Sequence, residues 1–173
     1  MRILLSFILI LLLNNCSEMK PEDYKGTKPI IKIEEYFQGK VKAWGMLQGR
    51  SGEVKRQFVA EMKGEFDGQN LILEETFVWN DGEEQKRTWM IKKIGDNKYE
   101  GTASDVIGIA KGVSFGSVFK FEYKLLVPYK DKKIQIKFDD WIFKQDEKTA
   151  INKATLTKFG FKVGELTVFF VKD

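Results

Sequence analysis

Four polar residues fall in phase with apolar strand faces, and any chemistry in this chain is expected to start from them. In the alternating stretch 54–66 the apolar side carries Val54, Phe58, Ala60, Met62 and Phe66, and Arg56 shares it. In 133–143 the apolar side carries Ile134, Ile136, Phe138 and Ile142, and Asp140 shares that. Arg87 lies on the side of Trp89 and Ile91, and Asn152 on that of Ala150, Ala154 and Leu156. Successive strand residues point to opposite faces, so all four point inward if these stretches are strands. A buried unpaired charge costs several kcal/mol, so the four must meet each other, water or a polar group of a ligand. Two arrangements satisfy that demand. In one, Arg56 and Arg87 grip a carboxylate or phosphate bidentately while aromatic walls take an apolar tail. In the other, an arginine pairs with Asp140, under Trp89 or Trp141, and closes one end of the fold; Arg56 or Arg87 is then within salt-bridge reach of Asp140.

Other chemistries lack their parts. The chain has no His, which removes His-based triads and His metal sites, and its single Cys, Cys16, follows an apolar run at the N-terminus. The stretch Gly101 to Gly112 carries three glycines, but no helix follows to complete a phosphate loop, so bends or close backbone approach explain it better. Asp139 and Asp140 are adjacent, hence on opposite faces of a strand, and cannot act together as a general acid and base; Asp139 reads as surface. Binding without catalysis is therefore expected, with no cofactor and no metal.

The elements that position these residues are strands. From Gly39 onward, period-2 alternation is broken by Gly, Asn and Asp turns, and strands are expected over 41–47, 54–66, 71–79, 87–94, 99–104, 115–127, 133–143, 150–157 and 161–171. Short connections make neighbours antiparallel, and closing the sheet protects its edges. An all-β up-and-down barrel of about 8–10 strands follows, with a two-sheet sandwich as the alternative. Aromatics make up 13% of the residues, enough to fill such an interior or line a cavity in it. A membrane-spanning barrel is disfavoured by charged faces such as Lys55, Glu61, Lys63 and Glu65.

The N-terminus supplies an address. Ile3 to Leu13 is an apolar run with the length of a signal-peptide core, roughly 7–15 residues, and short of the ~20 that span a bilayer. Leu13-Asn14-Asn15-Cys16 resembles the bacterial lipobox, with Cys16 as the lipidated residue and Asn15 where a smaller residue is usual. The organisation is then a signal peptide over 1–15, a lipidated tether with a short helical turn over 16–38, and a barrel over 39–173. The net charge of +4 falls by one on removal of Arg2, and basic and acidic residues alternate, which argues against a nucleic-acid footprint. In a Gram-negative host, Ser17 after the lipidated cysteine points to the periplasmic face of the outer membrane, and the partners expected are the membrane, through the lipid anchor, and a fatty acid or phospholipid as ligand.

Spaced residues over nearly the whole mature chain carry a family resemblance: Gly39, Ala43-Trp44-Gly45, Glu74, Phe77, Asp81-Gly82, Arg87, Trp89, Tyr99, Gly101, Asp105-Val106, Gly108, Ala110, Gly112, Phe138-Asp139-Asp140-Trp141, Asn152, Lys158-Phe159-Gly160 and Val163-Gly164-Glu165. The chain resembles the bacterial lipoprotein family catalogued as domain of unknown function 3833. That resemblance implies a lipocalin-like envelope domain without an established activity and with a link to membrane-lipid metabolism. The candidate ligand-contacting set is Arg56, Arg87, Trp89, Asp105, Asp140, Trp141 and Asn152. It would serve a lipid-anchored carrier of an apolar, acidic ligand such as a fatty acid or phospholipid. The competing reading is an assembly factor of the envelope that works through its surface and holds no ligand.

Overall fold

A computed structural model describes residues 19–173; Cys16 and the apolar run before it lie outside the described residues. Ten antiparallel strands follow one another around a closed barrel: β1 (Gly39–Gly49), β2 (Val54–Phe66), β3 (Asn70–Trp79), β4 (Glu84–Lys93), β5 (Lys98–Thr102), β6 (Ala110–Phe115), β7 (Val118–Tyr129), β8 (Lys132–Lys144), β9 (Thr149–Lys158) and β10 (Phe161–Lys172). β10 returns to β1 with Phe170 opposite Ala43, so no edge is left open. The up-and-down barrel is as the alternation implied.

The difference lies in the glycine-rich stretch. It hides a strand, β6, and the stretch expected to open at Phe115 is cut by a turn at Gly116-Ser117 before β7 begins. The glycines there make room for rings. A Cβ on Gly101 would stand 2.5 Å from the Phe121 ring, and one on Gly112 2.7 Å from that of Phe119. Large side chains from β7 therefore fill the space that β5 and β6 leave empty, as close packing of a small barrel requires.

One end of the barrel is plugged. The segment before β1 enters as a short 3-10 turn (Pro21–Tyr24) laid on the outside, where Tyr24 meets Trp141 and Phe143 at ring-centroid distances of 6.5 and 6.0 Å. Residues expected to form a loose tether are thus folded against the wall from Pro21 on. The expected helical turn is α1 (Ile33–Tyr36), and Ile31, Ile33, Tyr36 and Phe37 are buried beneath it. Four residues cannot hold a helix by themselves, so tertiary contacts fix it. Tyr36 donates to the Lys148 carbonyl (2.9 Å), and the Glu34 carboxylate takes Lys93 Nζ (2.6 Å) and the Tyr99 hydroxyl (2.8 Å).

The other end is the mouth, rimmed by the β1–β2, β3–β4, β7–β8 and β9–β10 turns and the β5–β6 loop. β5 and β6 are short and pair only with the lower parts of β4 and β7, which leaves a window in the upper wall. Residues 103–109 cover it. On the β7 side the loop is held by backbone: Ile107 N donates to Lys124 O, Leu126 N to Asp105 O (both 2.9 Å), and Val106 bridges Leu125. On the β4 side its recorded attachment is the side chain of Asp105, which reaches Arg87.

Candidate functional site

Arg87 stands in the middle of the interior because β4 alternates, with Arg87, Trp89 and Ile91 pointing inward. Its guanidinium makes a two-pronged contact with Asp105: Nε lies 3.1 Å from both carboxylate oxygens, and the terminal nitrogen Nη2 is 2.7 Å from Oδ2. Across the β3–β4 ladder, Glu75 is the register partner of Arg87, and the two charges approach to 3.6 Å. That is too long for a hydrogen bond. Glu75 Oε2 is buried and has no hydrogen-bond partner among the described residues. Burial pushes the Glu75 carboxyl up to about 7, against the pull of Arg87 and with help from Asp105 and Asp140.

A second polar group sits beside the first. Asp140 on β8 accepts from the Tyr123 hydroxyl (3.0 Å) and from the Asn152 side-chain amide, whose nitrogen also reaches the Trp141 carbonyl at 3.4 Å. Burial pushes Asp140 up to about 7, with the Tyr123 hydroxyl opposing the rise and Asp139 adding to it. Burial, and Asp140 after it, raise the Tyr123 hydroxyl well above its usual range.

Aromatic rings wall these groups in. Trp89 packs at 5.2 Å from both Phe121 and Tyr123, and Tyr123 stacks on Phe138 at 5.1 Å. The space they leave is about 100 Å³. An apolar cavity of ~150 Å³ admits a benzene ring, so this volume takes a few waters and no long acyl chain unless the wall opens. Among the described residues no His, Cys, Asp and Glu cluster is placed to hold a metal ion.

Of the residues expected inward, Arg87, Trp89, Asp140 and Asn152 do line the interior, and Asp105 reaches it by pairing with Arg87. Arg56 and Trp141 do not. Arg56 lies at the mouth, stacked 4.1 Å over Trp79 and bonded to Asp81 (2.6 Å) and Glu83 (3.0 Å) of the β3–β4 turn, because β2 has reached the rim by that position. Trp141 points out of the barrel, opposite to Asp140, and is covered by Tyr24, with its Nε1 on Asp139 (2.9 Å). Asp139 faces outward, as strand phase demands. The expected salt bridge between Asp140 and Arg56 or Arg87 is absent: Asp140 is satisfied by neutral donors, and Arg87 by Asp105 and Glu75. Glu75 and Tyr123 are site residues that the sequence reading missed. Glu75 was visible, since Leu71, Leu73 and Phe77 share its phase.

The fold recurs in solved structures of low sequence identity. One is the S-type phycobiliprotein lyase from Guillardia theta (10% identity, TM-score 0.59), where the match covers 83% of this chain and 93% of that one. Another is a DUF3598-family protein of unknown function from Nostoc punctiforme (12%, TM-score 0.62), with 84% of this chain covered and 51% of that longer one. Both likenesses concern the lipocalin-like barrel alone. No curated protein matches the sequence. A family model does, over residues 10–172, and the chain belongs to that family, described as protein of unknown function DUF3833.

Proposed function

We propose that this protein binds a small apolar molecule bearing a carboxylate or phosphate, and that Arg87 receives the acid in the place Asp105 now occupies. The supporting observation is the seat itself: a guanidinium bound two-pronged to a carboxylate from the 103–109 loop, inside an aromatic wall. Asp105 acts as an internal stand-in for the ligand. The 103–109 loop hinges on β7 through backbone bonds and latches on β4 through Asp105, so an incoming acid that takes Arg87 releases the latch. Opening the window enlarges a space that is too small for an acyl chain when shut. A lipocalin-like barrel is consistent with a hydrophobic ligand, and fatty acids or phospholipids are the class we favour. Lipidation at Cys16 would anchor the barrel to a membrane. The reading assigns binding and carriage to the envelope, and no reaction.

Native mass spectrometry of protein from its own host, with lipid extraction, tests the reading. Arg87→Ala is expected to lose the co-purifying acid. Asp105→Ala removes the internal competitor and is expected to bind a fatty-acid probe more tightly than the parent chain. Weaker binding by Asp105→Ala, or no bound acid in any variant, would refute it.

A further inference from the structure

The turn between β9 and β10 holds Phe159 and Gly160 with φ of +52° and +82°, in a two-residue loop closed by the Lys158–Phe161 pair. Such turns favour Asn-Gly, because a side chain as large as Phe resists the left-handed region. Phe159 nevertheless stands 89% exposed and Phe161 73% exposed, and among the described residues no other ring lies against them. Strain and exposure in the same residue do nothing for the fold and point outward, to a partner.

The chemistry of that partner is written in the adjoining tip. The segments 129–133 and 158–162 carry five lysines and one acid, Asp131. β8 extends beyond the end of its β9 pairing at Lys137, and the gap between the two tips is a groove of about 890 Å³ bordered by Lys124, Lys132, Lys133, Lys137, Lys158 and Phe159. Lys137 is already paired with Glu122 at 3.0 Å. Lys158 lies 5.3 Å above the Phe159 ring and Lys130 5.8 Å above that of Tyr129, which is half exposed. Rings at the tip with ammonium groups beside them match the boundary of a bilayer, where aromatics enter the headgroup layer and lysines meet lipid phosphates.

We propose that the β7–β8 and β9–β10 tips dock on an anionic lipid bilayer. The surface lies at the mouth end, away from α1 and the N-terminal segment, and β7 also carries the hinge of the 103–109 loop, so docking brings the window beside lipid. The inference stands on the tips and does not need the proposed ligand.

Hydrogen exchange of the full chain, mixed with vesicles of phosphatidylcholine with or without phosphatidylglycerol, reads each tip separately from any attachment through the N-terminus. Exchange in 129–133 and 158–162 is expected to slow with the anionic vesicles only. Lys132→Gln with Lys133→Gln should weaken that protection by about 25-fold in vesicle concentration, at about fivefold per lysine near an anionic surface. Phe159→Asn with Phe161→Thr should abolish it while the melting temperature holds or rises, since Asn suits the turn and Thr the strand. Protection that survives in this variant, equal protection by neutral vesicles, or none with either would overturn the proposal, the last pointing to a protein as the occupant.

Discussion

Asp140→Asn should stabilise the protein most at pH 8, less at pH 5 and hardly at all below about pH 4. Asp140 is raised from 3.8 to about 7 in the folded chain, chiefly by burial. Below about pH 4 the carboxyl is protonated in both folded and unfolded states, and its neutral form fits the interior without penalty. Between about 4 and 7 the folded chain holds a proton that the unfolded chain has lost, so stability falls as pH rises; above about 7 the loss is complete. A shift of about three units corresponds to roughly 4 kcal/mol. Asparagine keeps the shape and an oxygen for the Asn152 amide, and carries no charge to desolvate. Urea unfolding from pH 5 to pH 8 is the assay. Glu75, raised to about 7 as well, keeps its own share of the slope, so the variant should show about half the parental decline. Parallel profiles, or a variant less stable than the parent at pH 8, would refute the reasoning.

Arg87→Ala leaves the buried Glu75 and Asp105 facing each other without a cation, and should cost ~3–5 kcal/mol, with faster proteolysis in 103–109 as the latch is lost. Asp105→Ala should open the loop at a smaller cost in thermal stability, because Glu75 still accompanies Arg87. Gly112→Ala should cost ~1–3 kcal/mol in chemical denaturation, since the added methyl meets Phe119 at 2.7 Å. Phe159→Asn alone should raise the melting temperature by a few degrees, relieving ~1 kcal/mol of left-handed strain.

The wall of the barrel was legible and its contents only in part, for one physical reason. Alternation reports which face a side chain leaves from, and in strands such as β2 and β8 it separates Phe58 from Lys55 and Asp140 from Asp139. It does not report how far along the barrel axis a residue lies. Arg56 shares the phase of Phe58, yet sits where β2 passes the rim, so its guanidinium meets Asp81 and Glu83 in place of the interior. Nor does phase tell whether an outward face is covered. Trp141 is 7% exposed because Tyr24, from a segment that showed no periodicity, lies over it. Pairing partners were the least legible of all, since Asp105 comes from an irregular loop and reaches Arg87 only because β5 and β6 are too short to close the wall.

That shortness ties the fold to the function we propose. A barrel with ten full-length strands would bury Arg87 permanently, and the charge would then have to be matched once, at folding. Here the wall above β5 and β6 is a loop, and the carboxylate that neutralises Arg87 arrives with it. The cost of uncovering Arg87 is therefore coupled to the presence of another acid. Without one, opening would leave the guanidinium with only Glu75, 3.6 Å away and itself inclined to hold a proton. With an acid in place of Asp105, the interior charge is unchanged and the loop is free to swing about its hinge on β7. Selectivity for acidic over neutral apolar molecules follows from that exchange. A fatty alcohol of the same chain length should bind far more weakly than the fatty acid to the parent chain, and the two should converge in Arg87→Ala; equal affinities for the parent would show that the interior recognises the apolar tail alone.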